Sequence, residues 1–232
     1  MKRNQIIVFL VAVFCFSATI AQTEVKVTSL GDDNSTGTLR WAINLANKDS
    51  DVKVIKFQPG LRGTLVLSSD LPKINSDLII VGPGSEDVVI SGSGQFLMFT
   101  VNQGFSLDIS GFTLTDSADN YNNGTIFAAS GSTITASEIV VTGVSNQTAF
   151  WSKGDHSTIA ISNSVFKNNS ATLFRSYWGS TPSFTSDNEN DYTNKIIITE
   201  SKFSYNRGLI FSTEHFVKID KCTFNGNYDQ IA

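Results

Sequence analysis

Apolar and polar positions alternate with two different periods along this chain, and the change between them divides it. Between Thr38 and Asn47 the apolar residues are Leu39, Ala42, Ile43, Leu45 and Ala46, which form one face of a 3.6-residue period. Thr38 suits an N-cap and Asn47 a helix stop, so the spacing predicts one substantial helix over 38–47. Residues 24–28 alternate as a short strand before it. From Asp51 onward the pattern shortens to strand-like runs at 52–57, 64–67, 78–81 and 88–90. Turn material separates them: Gln58-Pro59-Gly60, Gly82-Pro83-Gly84 and Gly92-Ser93-Gly94.

A repeated phrase in the second half narrows the fold. Ile109-Ser110-Gly111-Phe112-Thr113-Leu114 recurs as segments beginning at Ile161, Ile198 and Ile219, with a looser copy at Ile134. The five Ile positions lie 25, 27, 37 and 21 residues apart. Within each copy the two inward positions are five apart, as in Ile161 with Phe166, Ile198 with Phe203 and Ile219 with Phe224. Asn169, Asn206 and Asn227 follow at one common offset. A sandwich has no reason to repeat a phrase at this period, whereas a solenoid of stacked coils does. Each coil buries its inner side chains only by stacking on the next, with parallel strands about 4.8 Å apart. Ile and Phe should then form columns. The repeated Asn should occupy a left-handed bend and hydrogen-bond its copy in the next coil.

The expected fold class is therefore all-β, a parallel β-helix with a short N-terminal capping helix. The helix at 38–47 has the apolar stripe needed to cover one end of the solenoid. The 37-residue interval contains residues 178–194, which should protrude as a loop. No cap is evident after the last repeat, which reads more readily as a fragment than as an end closed by a partner. The division is a signal segment at 1–21, a strand and capping helix at 22–50, and the β-helix at 51–232.

Composition adds a compartment. Lys2 and Arg3 precede an 11-residue apolar run, residues 6–16, and Thr19 and Ala21 supply small residues at the −3 and −1 positions before Gln22. That is the pattern of a secretory signal, and eleven residues are too few to span a bilayer. Secretion or display at the cell surface follows as an expectation, with no transmembrane segment once the signal is removed. Cys15 lies inside the leader, which leaves Cys222 alone and an intrachain disulfide impossible. The net charge of −4 becomes −6 without Lys2 and Arg3. With no basic run of five or more residues, nucleic acid is an unsuitable partner.

Candidate chemistry is sparse. Trp151, Tyr177, Trp178 and Tyr192 fall near expected outer loops, where exposed aromatic rings beside Asn and Asp suit stacking on sugars. Asp187, Glu189 and Asp191 alternate in one acidic loop and could wrap Ca²⁺, the only cofactor the sequence suggests. His156 and His215 are too far apart in sequence to suggest zinc, and no nucleophile motif surrounds any Ser. Glu200 and Asp220 take different offsets from their Ile and read as solvated outer positions rather than a carboxylate pair.

Several short motifs in order carry a family resemblance. They are Thr38-Leu39-Arg40 with Ala42-Ile43 and Ala46-Asn47, Ile55-Lys56-Phe57, Pro59-Gly60-Leu61, Gly63-Thr64-Leu65, Leu71-Pro72, Gly82-Pro83-Gly84, and the phrase from Ile109 to Leu114. Together they resemble the N-terminal region of secreted right-handed parallel β-helix repeat proteins of bacteria, large adhesin-like surface proteins. The resemblance implies the fold and its right-handed winding, but no catalytic set, because the same fold carries adhesins, lyases and hydrolases. The expected function is non-enzymatic adhesion to an extracellular glycan or a matrix or surface protein. The alternative is a polysaccharide lyase or glycoside hydrolase with its site near 177–194.

Overall fold

A computed structural model describes residues 23–117, 126–145, 148–153, 156–177, 194–213 and 216–228. The expected signal segment lies outside the described residues. The chain is a β-solenoid of about seven coils with three sheet faces, and every strand pairing is parallel.

The first face contains Thr23–Val27, Val52–Phe57, Leu78–Val81, Ser106–Ser110, Thr133–Ser137, Thr158–Ser162, Lys195–Thr199 and Phe216–Asp220. The second contains Gly63–Val66, Val88–Ser91, Thr113–Thr115, Val140–Thr142, Val165–Lys167, Lys202–Ser204 and Thr223–Asn225. The third contains Phe99–Val101, Phe127–Ser130, Thr148–Lys153, Thr172–Tyr177 and Phe211–Thr213.

Like residues stack because the parallel register places the same coil position directly above itself. On the second face Leu114, Val141, Phe166, Phe203 and Phe224 form one column. Phe166 and Phe203 have centroids 4.6 Å apart and planes 9° from parallel, and Phe203 and Phe224 repeat this at 4.7 Å and 7°. On the third face Phe150, Phe174 and Phe211 stack in the same way. Burying a Phe removes about 150–250 Å² from water, so these columns dominate the core energy.

The first-face column corrects one expected alignment. Ile109 pairs with Ala136, then Ile161, Ile198 and Ile219 follow. Ile134 pairs instead with Leu107 and Ile159, one inward position earlier. The looser copy is two residues out of register, because Ala136 fills the inward position with little apolar signal of its own.

Two of the coil's corners each use one residue of positive φ. Between the first and second faces these are Gly111, Glu138, Asn163, Glu200 and Lys221. Between the second and third they are Asp116, Gly143, Asn168, Tyr205 and Gly226. The left-handed residue thus immediately precedes the repeated Asn rather than being the Asn itself. The ladder between Asn side chains is as expected: Asn169 Nδ2 donates to Asn206 Oδ1 at 3.0 Å, and Asn206 Nδ2 donates to Asn227 Oδ1 at 2.9 Å.

The predicted helix is Leu39–Ala46. The Thr38 hydroxyl oxygen accepts from the Trp41 N–H, and Asn47 closes the C-terminal turn. Leu39, Ala42, Ile43 and Ala46 are buried in the same cluster as Val25 and Ile55, so the helix covers one end of the core. Arg40 anchors it, donating to Asp32 and to the Ser69 and Asp70 carbonyls. At the other end Ile219 and Phe224 are 39% and 38% exposed. No described helix is long and apolar enough to cross a membrane.

Candidate functional site

One concavity grows from the corner between the second and third faces. Three successive coils contribute Asn168-Asn169-Ser170, Tyr205-Asn206-Arg207 and Gly226-Asn227-Tyr228. Backbone bonds hold the coils in step: the Arg207 N–H donates to the Asn169 carbonyl at 2.7 Å and the Tyr228 N–H to the Asn206 carbonyl at 3.0 Å. The middle column is the Asn ladder, with Asn169 and Asn206 fully buried. The flanking columns turn outward.

Asn168, Asn169, Ser170, Tyr205, Arg207 and Tyr228 line a cavity of about 430 Å³. Tyr205 is 55% exposed and Tyr228 71%, among the most exposed large side chains described. The Arg207 guanidinium stands over the Tyr228 ring at 6.0 Å. The Tyr205 ring lies against Gly226: a Cβ there would come within 2.8 Å of Tyr205 Cε1 and 2.9 Å of Cδ1. Glycine suits 226 on both counts, leaving room for the Tyr205 ring as placed and adopting its φ of +62° without strain. Tyr205 itself has φ 54°, in the column otherwise occupied by Asp116, Gly143, Asn168 and Gly226. A large aromatic residue in this region is uncommon.

The lining sets the chemistry this corner can offer a ligand. It offers a guanidinium, two phenols, a primary amide, a hydroxyl and two aromatic surfaces. Among the described residues neither a carboxylate pair nor a nucleophile beside a base lines it.

A second groove of about 380 Å³ runs along the outside of the first face, where Lys53, Asp77, Ile79, Ser106 and Asp108 contribute. Asp77 Oδ1 accepts from the Ser106 N–H at 3.0 Å and from its hydroxyl at 2.8 Å. Glu200 and Asp220 are both exposed, and Glu200 faces Lys221 at 3.5 Å.

The expected site residues are distributed differently. Trp151 is 7% exposed, in strand Thr148–Lys153, with the Arg175 guanidinium 5.7 Å from its ring centroid. Tyr177 ends strand Thr172–Tyr177, paired with Lys153. Trp178, Tyr192, Asp187, Glu189 and Asp191 lie outside the described residues. Among the described residues no three His, Cys, Asp or Glu gather into a cation site.

Tyr205, Arg207 and Tyr228 are not among the residues expected from sequence, although a signal is present there. Aligning Ser204-Tyr205-Asn206 with Asn225-Gly226-Asn227 puts Tyr where the next coil has Gly. Fold and site together define a parallel β-solenoid with a polar and aromatic corner cavity. In comparisons with known proteins the chain matches no family model and no curated sequence.

Proposed function

We propose that this protein is an exported β-solenoid that binds an extracellular glycan, or a sugar-bearing surface protein, without cleaving it. The observation that supports this reading is the pair of exposed rings, Tyr205 and Tyr228, beside Arg207 on a corner held by the buried Asn ladder. Exposed aromatic rings bury the apolar face of a sugar, while neighbouring amide, hydroxyl and guanidinium groups take its oxygens. Positioning the rings on a hydrogen-bonded ladder lowers the ordering cost of binding. The leader-like pattern at 1–21 supports export.

The test is a glycan array probed with the chain recovered after export from its own leader, and with Tyr205→Ala and Tyr228→Ala variants. Binding lost in both variants supports the reading, and an array with no signal from the unmutated chain refutes it. N-terminal sequencing that starts at Gln22 would support the export step.

The first-face groove favours the alternative, a polysaccharide-cleaving enzyme, because Asp77 and Asp108 lie there with Lys53. Ser106 gives two hydrogen bonds to one oxygen of Asp77, which suits a structural role. Release of reducing or unsaturated ends from pectin, alginate or a glycosaminoglycan, abolished by Asp108→Asn, would favour cleavage over binding alone.

A further inference from the structure

We infer that the corner cavity selects an acidic sugar, one bearing a uronate carboxylate or a sulfate ester, and that Arg207 receives the anionic group. The inference rests on the binding reading above and adds the class of ligand.

Hydrogen-bonding capacity around the cavity is unevenly spent. The ladder amides at its floor are already committed. Both N–H groups of Asn206 are used, one on Asn227 Oδ1 and one on the Phe166 carbonyl, while its Oδ1 accepts from the N–H and Nδ2 of Asn169. Asn169 Oδ1 accepts from the Val144 N–H, and its Nδ2 donates to the Val141 carbonyl and Asn206. What remains for a ligand is the outer ring: Asn168, Ser170, the two phenols and Arg207. Among the described residues no carboxylate lines the cavity. A lining rich in donors and carrying a guanidinium favours a ligand rich in acceptors.

Arg207 supplies the charge. Ion pairs among the described residues join Arg40 to Asp32, Arg62 to Asp87 and Lys221 to Glu200. Arg207 has no ion-pair partner among them, and is placed over Tyr228 instead. A guanidinium held near a ring face rather than against a carboxylate keeps N–H groups available, in the fork that matches a carboxylate or sulfate. This is a local feature, since the chain as a whole carries net charge −4.

Tyr205 supplies a platform. At this corner the coils on either side use Asn168 and Gly226, and Tyr205 alone projects a large ring from the shared left-handed bend. Its ring against Gly226 and the Tyr228 ring under Arg207 give a sugar two stacking surfaces beside one cation.

The experiment measures binding of the exported full chain to three polymers of similar length: polygalacturonate for the carboxylate, dextran sulfate for the sulfate ester, and neutral dextran. Variants are Arg207→Gln, Arg207→Lys, and Arg62→Gln as a remote control for non-specific attraction. One or both acidic polymers should bind and dextran should not; which of the two binds identifies the anion. Arg207→Gln should weaken acidic binding roughly tenfold or more, the usual effect of losing a charged hydrogen bond. Arg207→Lys should retain part of it, and Arg62→Gln should leave it unchanged. Urea midpoints establish that each variant is folded. Equal binding to dextran and to the acidic polymers, or an Arg207→Gln variant as tight as the unmutated chain, would overturn the inference. If neutral glycans bind through Tyr205 and Tyr228 while acidic ones bind no better, the acidic specificity fails and the binding reading stands. If no glycan binds, both fail.

Discussion

Replacing Asn206 by Ala should be the most costly polar substitution in this solenoid. Four hydrogen bonds involve that side chain, at 3.0, 3.1, 3.0 and 2.9 Å, and the residue is fully buried. At about 1 kcal/mol net each, their loss amounts to about 4 kcal/mol. The groups left behind are Asn169 N–H and Nδ2, the Phe166 carbonyl and Asn227 Oδ1, and most of them lie too deep for water to replace the lost partner. Asn227→Ala is the matched comparison. It removes three bonds, at 3.0, 2.9 and 3.1 Å, from a residue that is only partly buried. Water can reach that site, so the cost should be about half as large. Asn206→Asp keeps the shape and the acceptors but loses both donors and turns negative oxygen toward two other oxygens. It should be at least as damaging as Ala. Urea unfolding followed by circular dichroism reads the effect. With a slope of about 2–3 kcal/mol/M, a loss of about 4 kcal/mol lowers the midpoint by about 1.5 M. An Asn206→Ala loss below about 1 kcal/mol would refute the ladder as a source of stability. So would an Asn227→Ala variant as damaged as Asn206→Ala.

The same titration reads four further substitutions. Phe203→Ala, between two stacked rings and 1% exposed, should cost about 3–5 kcal/mol, and Phe224→Ala, 38% exposed, markedly less; equal losses would contradict the column as described. The Asp32 carboxylate accepts from Arg40 Nε, Arg40 Nη2 and the Ser68 N–H, so Asp32→Ala leaves a mostly buried guanidinium unpaired and should cost about 3 kcal/mol; an unchanged midpoint would remove this pair from the cap. Tyr205→Asn should leave stability unchanged or raise it by about 1 kcal/mol, since Asn tolerates positive φ better, while glycan binding is lost; a midpoint that falls clearly would show that the ring serves packing.

The solenoid was legible because stacking forces every coil to reuse the same inward positions. Ile161 with Phe166, Ile198 with Phe203 and Ile219 with Phe224 announced the columns directly. The helix was equally plain, since Thr38, the apolar face and Asn47 agree at every level. The register of the coil at Thr133–Ser137 was not legible. Ile134 and Ile139 are five apart like the true pairs, and only the backbone ladder shows that Ala136 is the inward residue. The left-handed corners were also hidden, because Glu138, Glu200 and Lys221 carry no preference for positive φ, and the surrounding ladder imposes it. Trp151 read as a loop residue because an aromatic beside Ser and Lys carries no strand register of its own, yet it pairs with Ala128 and Arg175 in the third face.

In a fold built by repetition, the position that departs from the repeat carries the most information about function. The corner column from Gly143 to Gly226 holds residues suited to a left-handed bend at 143, 168 and 226, and Tyr at 205. Conformational preference works against that Tyr by about 1–2 kcal/mol. The neighbouring ladder works the other way by about 4 kcal/mol, because the Asn206 side chain is bonded to the coils on both sides. The ladder outweighs the preference and fixes the backbone, so Tyr205 takes up a conformation that it would not adopt unaided. The same ladder holds Asn206 between Tyr205 and Arg207 in sequence, so it sets the outward direction of both neighbours at once. Repetition therefore does two jobs here. It supplies the core, and it makes one corner firm enough to display an aromatic ring and a cation in a fixed relation.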